Sequence, residues 1–150
     1  MFKKILFPTD FSDEAAKAMT YVKQLKGAGA QEVIVLHVID EKETEVLSSR
    51  VPDQYLKLTA QMEQETAEAM APMEAELAAE GFQVKLEVKT GTPFTEIMAT
   101  AADEKVSIIV LGSHGKSNIK EMLMGSVSEN VIRHSKVPLL VISREVKGPQ

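Results

Sequence analysis

Four short runs along the chain are apolar with almost no polar alternation: residues 5–8, 33–38, 107–111 and 137–142. Strands buried on both faces of a parallel sheet require this pattern, rich in Val, Ile and Leu. A fifth run, 84–88 (VKLEV), alternates apolar with charged residues and predicts a more exposed strand at a sheet edge.

Between these runs the period changes to that of helices. Ser12 or Asp13 can cap a helix reaching about Leu25, with Ala15, Ala18, Met19, Val22 and Leu25 on one face and Gly27 and Gly29 to end it. A longer pattern from Gln54 to Glu80 carries Leu58, Met62, Met70, Met73 and Leu77 near helical spacing. Pro72 lies inside it and removes one backbone donor, which predicts a kink; Gly81 is a natural stop. Thr92-Pro93 opens a third helix with Ile97, Met98 and Ala101. The last helix begins near Gly125-Ser126 and runs to about Arg133, with Val127, Val131 and Ile132 turned inward. The stretch 40–52 is polar and lacks periodicity, and so predicts a mobile loop beside the ligand-binding edge of the sheet. The order β-α-β-α-β-α-β-α-β predicts a single α/β domain, a doubly wound five-stranded parallel sheet with helices on both faces.

The chain has 150 residues, 44% hydrophobic and 26% charged, the size and composition of one globular domain. With no cysteine, disulfides, thiolate metal sites and cysteine nucleophiles are excluded, which fits a reducing interior. The opening segment has two lysines and only a short apolar run before Asp10, too little for a secretory signal, and no later stretch reaches membrane-spanning length. A cytoplasmic protein is the expectation. The net charge of −5 argues against nucleic acid as a partner, though not against one bound nucleotide, whose phosphates backbone N–H groups can hold.

In open α/β sheets ligands sit beyond the carboxyl ends of the strands, where strand order reverses. Four places meet that condition: Pro8-Thr9-Asp10, Val38-Ile39-Asp40, Thr90-Gly91 and the run from Gly112 onward. The run carries the strongest signal. Gly112, Ser113, His114 and Gly115 are followed after nine residues by Gly125, Ser126, Val127 and Ser128. Gly112 and Gly115 let the backbone turn sharply and approach a ligand closely. Gly125-Ser126 then starts a helix whose free N–H groups and positive end suit an anion, and the two serines add hydroxyls. A plain turn and a serine cap would explain any one of these glycines, but not the spacing as a whole. Gly115-Lys116-Ser117 imitates the end of a P-loop, but the first glycine would fall at Val110 inside the strand, so the match fails. No G-x-G-x-x-G follows the first strand either. Asp10 has its own case, since a carboxylate is a good acceptor for two ribose hydroxyls; the competing role is a cap for the first helix.

These residues resemble the ATP-binding branch of the universal stress protein family. The likeness is carried by FPTDFS from Phe7 to Ser12, HVID from His37 to Asp40, and G-x2-G-x9-G-S from Gly112, and it covers nearly the whole chain. It implies a Rossmann-like sheet of order 3-2-1-4-5 and commonly a dimer. It also implies that Asp10 bonds the ribose hydroxyls and that Val38 meets adenine through its backbone. Gly112 and Gly115 would line ribose and phosphates, while Gly125, Ser126, Val127 and Ser128 would donate to the phosphates. The candidate nucleotide-binding set is therefore Pro8, Thr9, Asp10, Val38, Gly112, Ser113, His114, Gly115, Gly125, Ser126, Val127 and Ser128, with no catalytic and no metal-ligating residue. ATP is the expected ligand, with any Mg²⁺ or Mn²⁺ held mainly by phosphates and water.

Other features read more plainly. His37, His114 and His134 are too scattered for a metal site; His37 packs or bonds at the sheet edge, and His114 flanks the ligand. The eight methionines are core filler, and the acidic stretch 63–80 is a solvated helix face. The leading function is an ATP-binding regulatory, stress-response protein that reports to an unidentified protein partner. The alternative is a slow ATPase or autophosphorylating enzyme, which lacks an evident base, a carboxylate pair for Mg²⁺ or a P-loop lysine. A receiver domain would need an aspartate at the end of the third strand, where Val88-Lys89-Thr90-Gly91 stands. The last strand, Val137 to Ile142, is an apolar edge that predicts a homodimer.

Overall fold

The computed structural model describes residues 2–113 and 125–143. Its five strands are β1 (Lys4–Pro8), β2 (Glu32–Asp40), β3 (Gln83–Gly91), β4 (Ile108–Gly112) and β5 (Leu139–Ile142), all parallel in the order β3-β2-β1-β4-β5. The helices are α1 (Asp13–Gln24), α2 (Glu41–Arg50), α3 (Tyr55–Ala79), α4 (Pro93–Asp103) and α5 (Ser126–His134).

Side-chain alternation explains why the inner strands are apolar throughout. Ile5, Phe7, Val33, Val35, Ile108 and Val110 point to one face and pack under Ala18, Met19 and Val22 of α1 and Met70 and Leu77 of α3. Leu6, Ile34, Leu36, Ile109 and Leu111 point to the other, against Ile97 and Ala101 of α4 and Val131 of α5. A polar residue at any of these positions would meet a core on its own side. The chain moves one way through β1, β2 and β3 and the other way through β4 and β5, so crossovers of one hand put α1 and α3 on one face and α4 and α5 on the other.

β3 is an edge strand, as its alternation predicts. Val84, Leu86 and Val88 face the core, while its opposite face carries a charge network. Glu104 accepts from Lys85 at 2.6 Å and Lys4 at 3.1 Å, and these two cations hold its carboxyl down to about 2. Pro72 sits inside α3 without ending it, and Gly81, at φ 94°, takes up the left-handed turn that follows.

The expected loop at 40–52 is a correction. Residues 41–50 form α2, capped by Asp40, whose side chain accepts from Lys42 N–H at 3.0 Å. Acidic residues in its first turn and Arg50 in its last suit the helix dipole. Its only buried residue is Thr44, so it has no apolar stripe for a periodicity search to find.

Candidate functional site

β1 pairs with β2 over five residues but with β4 over only two, Ile5 with Ile108 and Leu6 with Ile109. Beyond that point the two central strands part. The strand order reverses there, and a crevice opens at their carboxyl ends. Its cavity is about 250 Å³.

Leu36, Ile97, Leu111 and Val131, all core residues of the α4–α5 side, form an apolar floor. Around it stand Pro8, Thr9, Asp10 and Ser12 from the end of β1, His37 and Val38 from β2, Gly112 from β4, and Gly125, Ser126, Val127 and Ser128 from the start of α5. Among the described residues of this wall only Asp10 and His37 can ionise.

The β1–α1 turn is held by bonds between side chains and backbone. Thr9 N–H donates to Leu36 O at 2.8 Å, Phe11 N–H to Thr9 Oγ1 at 3.2 Å, and Ser12 N–H to Asp10 Oδ1 at 3.0 Å. Ser12 caps α1 by accepting from Ala15 N–H at 3.2 Å, so the cap does not need Asp10. These bonds support Phe11 at φ 63°, a left-handed conformation that costs a non-glycine residue about 1 kcal/mol or more. His37 Nδ1 lies 2.7 Å from Thr9 O, and the Phe11 ring packs on the imidazole at 4.9 Å.

On the opposite wall, Gly125 is the N-cap of α5 and has no side chain to satisfy the first turn. Glu129 N–H returns to Gly125 O at 2.9 Å, leaving the N–H groups of Ser126, Val127 and Ser128 without intrahelical acceptors at the cavity wall. The base of the glycine-rich run is closed by Gly125 N–H donating to Ser113 O at 2.8 Å. Ser113 N–H donates to Ile142 O at 3.0 Å, which draws Ser113 towards β5 and out of the cavity wall. Ser128 Oγ donates to Gly112 O at 2.6 Å.

Nine of the twelve candidate residues therefore line one cavity: Pro8, Thr9, Asp10, Val38, Gly112, Gly125, Ser126, Val127 and Ser128. Ser113 is buried beside it, and His114 and Gly115 lie outside the described residues. Sequence reasoning missed the floor. Pro93, Ile97 and Val131 reach it only through helix packing, although Pro93 at the start of α4 marks a segment that begins at the sheet's ligand edge.

Fold and crevice define a doubly wound α/β protein with an anion-ready helix start lining the same cavity as the carboxylate of Asp10. The family model for the universal stress protein family matches residues 1–143, and the chain belongs to that family. Universal stress protein MJ0577 of Methanocaldococcus jannaschii is 43% identical over 157 aligned residues, covering 97% of each chain. The solved structure of MJ0577 superposes with a TM-score of 0.87 at 46% identity, covering 97% of this chain and 98% of that one. YxiE of Bacillus subtilis is 32% identical over 149 residues, covering 95% of this chain and 99% of that protein. A universal stress protein solved with cAMP shares the fold at 22% identity and a TM-score of 0.60, covering 95% of this chain and 97% of that one. One from Archaeoglobus fulgidus solved with dAMP does so at 19% and 0.62, covering 95% and 98%. No helix among the described residues is long and apolar enough to cross a membrane.

Proposed function

We propose that this protein binds ATP in the crevice between β1 and β4 and acts as a nucleotide-holding regulatory protein. The observation that carries this is the polarity of one cavity. An apolar floor for a base is lined by a carboxylate at Asp10 and by three helix N–H groups, at Ser126, Val127 and Ser128, that have no intrahelical acceptor. The carboxylate suits ribose hydroxyls and would repel phosphates, so the ligand has one orientation, with its phosphates on α5.

Val38 supplies the base edge. Leu36 bonds to β1, and alternation along β2 turns the N–H and C=O of Val38 to the same side, past the end of β1. A donor and an acceptor side by side match N1 and N6 of adenine and mismatch the corresponding edge of guanine. Two fold relatives solved with cAMP and dAMP hold adenine nucleotides themselves, which agrees with this ligand class. Any divalent cation would enter with the phosphates, since no group of three His, Asp or Glu among the described residues is arranged to hold one.

The same proposal takes the protein to be a cytoplasmic homodimer that answers stress through a protein partner. β5 pairs with β4 on one side, and its outer edge is the surface offered for a second copy. Calorimetric titration with ATP tests the binding, and one saturable site per chain is expected. Incubation with radiolabelled ATP separates holding from use: neither released phosphate nor labelled protein above the solvent rate is expected.

A further inference from the structure

The imidazole of His37 bridges β2 to the end of β1. Its Nδ1 sits 2.7 Å from the carbonyl oxygen of Thr9, and a carbonyl only accepts, so Nδ1 carries the proton. The remaining polar atoms of Thr9 are also engaged: its N–H by Leu36 O and its Oγ1 by Phe11 N–H. One side chain on β2 thus completes the bonding of the turn that carries Asp10.

The parallel ladder gives this contact a consequence. β1 and β2 are in register from Lys4 with Glu32 to Pro8 with Leu36, and Thr9 N–H bonds to Leu36 O. In a ladder that simply continued, the Thr9 carbonyl would accept next from Val38 N–H. Here the His37 ring donates to that carbonyl in its place. Phe11, packed on the ring at 4.9 Å and tilted by 40°, holds the imidazole in position.

We infer that His37 is a positioning residue for the base end of the nucleotide site: by donating Nδ1–H to the Thr9 carbonyl, it keeps the Val38 N–H open for adenine and sets the turn that carries Asp10. The inference rests on the nucleotide proposal above for its ligand, but not for its geometry. An asparagine at position 37 can place an amide N–H where Nδ1 now sits. A phenylalanine keeps the ring packing on Phe11 and has no donor.

Two measurements test it. In the free protein, the ¹⁵N spectrum of the His37 ring should show Nδ1 as the protonated nitrogen of the neutral imidazole; a ring protonated at Nε2 would overturn the inference. Calorimetry should then show His37→Asn binding ATP and AMP within about threefold of wild type, while His37→Phe weakens both by the same factor, about tenfold. His37→Phe binding like wild type, losing ATP alone, or matched by an equal loss in His37→Asn would each refute it. If wild type takes up no ATP, the nucleotide proposal fails, and the ring spectrum alone decides the role of His37.

Discussion

The hydroxyl of Ser128 donates to the carbonyl of Gly112 at 2.6 Å, tying the first turn of α5 to the end of β4. Ser113 N–H bonds to Ile142, so alternation directs the Gly112 carbonyl the other way, to the side β1 has left. Ser128 fills that gap, and its one proton is spent there. In the proposed ATP complex, phosphate contacts at this turn would then fall to the backbone N–H groups and to Ser126, whose side chain is exposed. Ser128→Ala should cost about 1 kcal/mol of stability, because it strips a part-buried carbonyl of its donor. Ser126→Ala should leave stability within about 0.5 kcal/mol while weakening ATP. Urea denaturation of both variants checks the contrast, and equal stabilities would contradict it.

Asp10→Asn retains an oxygen for the Ser12 N–H, now accepted by Oδ1 at 3.0 Å, so the turn should survive. What it removes is the charge that the proposed site offers to ribose hydroxyls. ATP affinity should fall about tenfold, or about 1.4 kcal/mol, and any preference for ATP over dATP should shrink with it. Unchanged affinity in a folded variant would remove Asp10 from the site.

Glu104 links acid stability to the far edge of the sheet. Its folded value of about 2 lies below its ordinary 4.5, because Lys85 and Lys4 bond the carboxylate. Such a depressed group stabilises the fold above about pH 4.5, and that contribution is lost as pH falls towards 2. Urea midpoints taken from pH 6 to 3 should decline, and Glu104→Gln should flatten the decline. Parallel curves for the two proteins would count against the network.

The outer edge of β5 can be tested without disturbing β4. Ile109 N–H bonds to Pro138 O and Ser113 N–H to Ile142 O, so residues 138, 140 and 142 serve β4, while Leu139 and Val141 direct their N–H and C=O outward. Val141→Pro removes an outward donor and leaves the inner ladder intact. Sedimentation should show wild type as a dimer and Val141→Pro shifted to monomer; a wild-type monomer would refute the proposed dimer.

The fold was legible because the inner strands are apolar on both faces and the helices carry stripes and stops: Ala18, Met19 and Val22 on α1, Gly81 after α3, Pro93 opening α4. α2 was not, since it buries only Thr44, and its evidence lies in caps and end charges alone. Of the crevice, the rim could be read from strand ends and from the spacing to Gly125. Its floor could not: Ile97 and Val131 look like any core residues until packing places them under the gap between β1 and β4. Nor does sequence reveal that Ser128 bonds inward or that His37 holds Thr9, because both depend on where β1 stops following its neighbours.

Calorimetric titration of the wild-type chain with ATP and then with GTP tests the central claim most directly. One saturable ATP site per chain, with GTP weaker by about tenfold or more, is the predicted result. No heat and no thermal shift with ATP would contradict the account outright, and equal binding of GTP would contradict the role given to Val38.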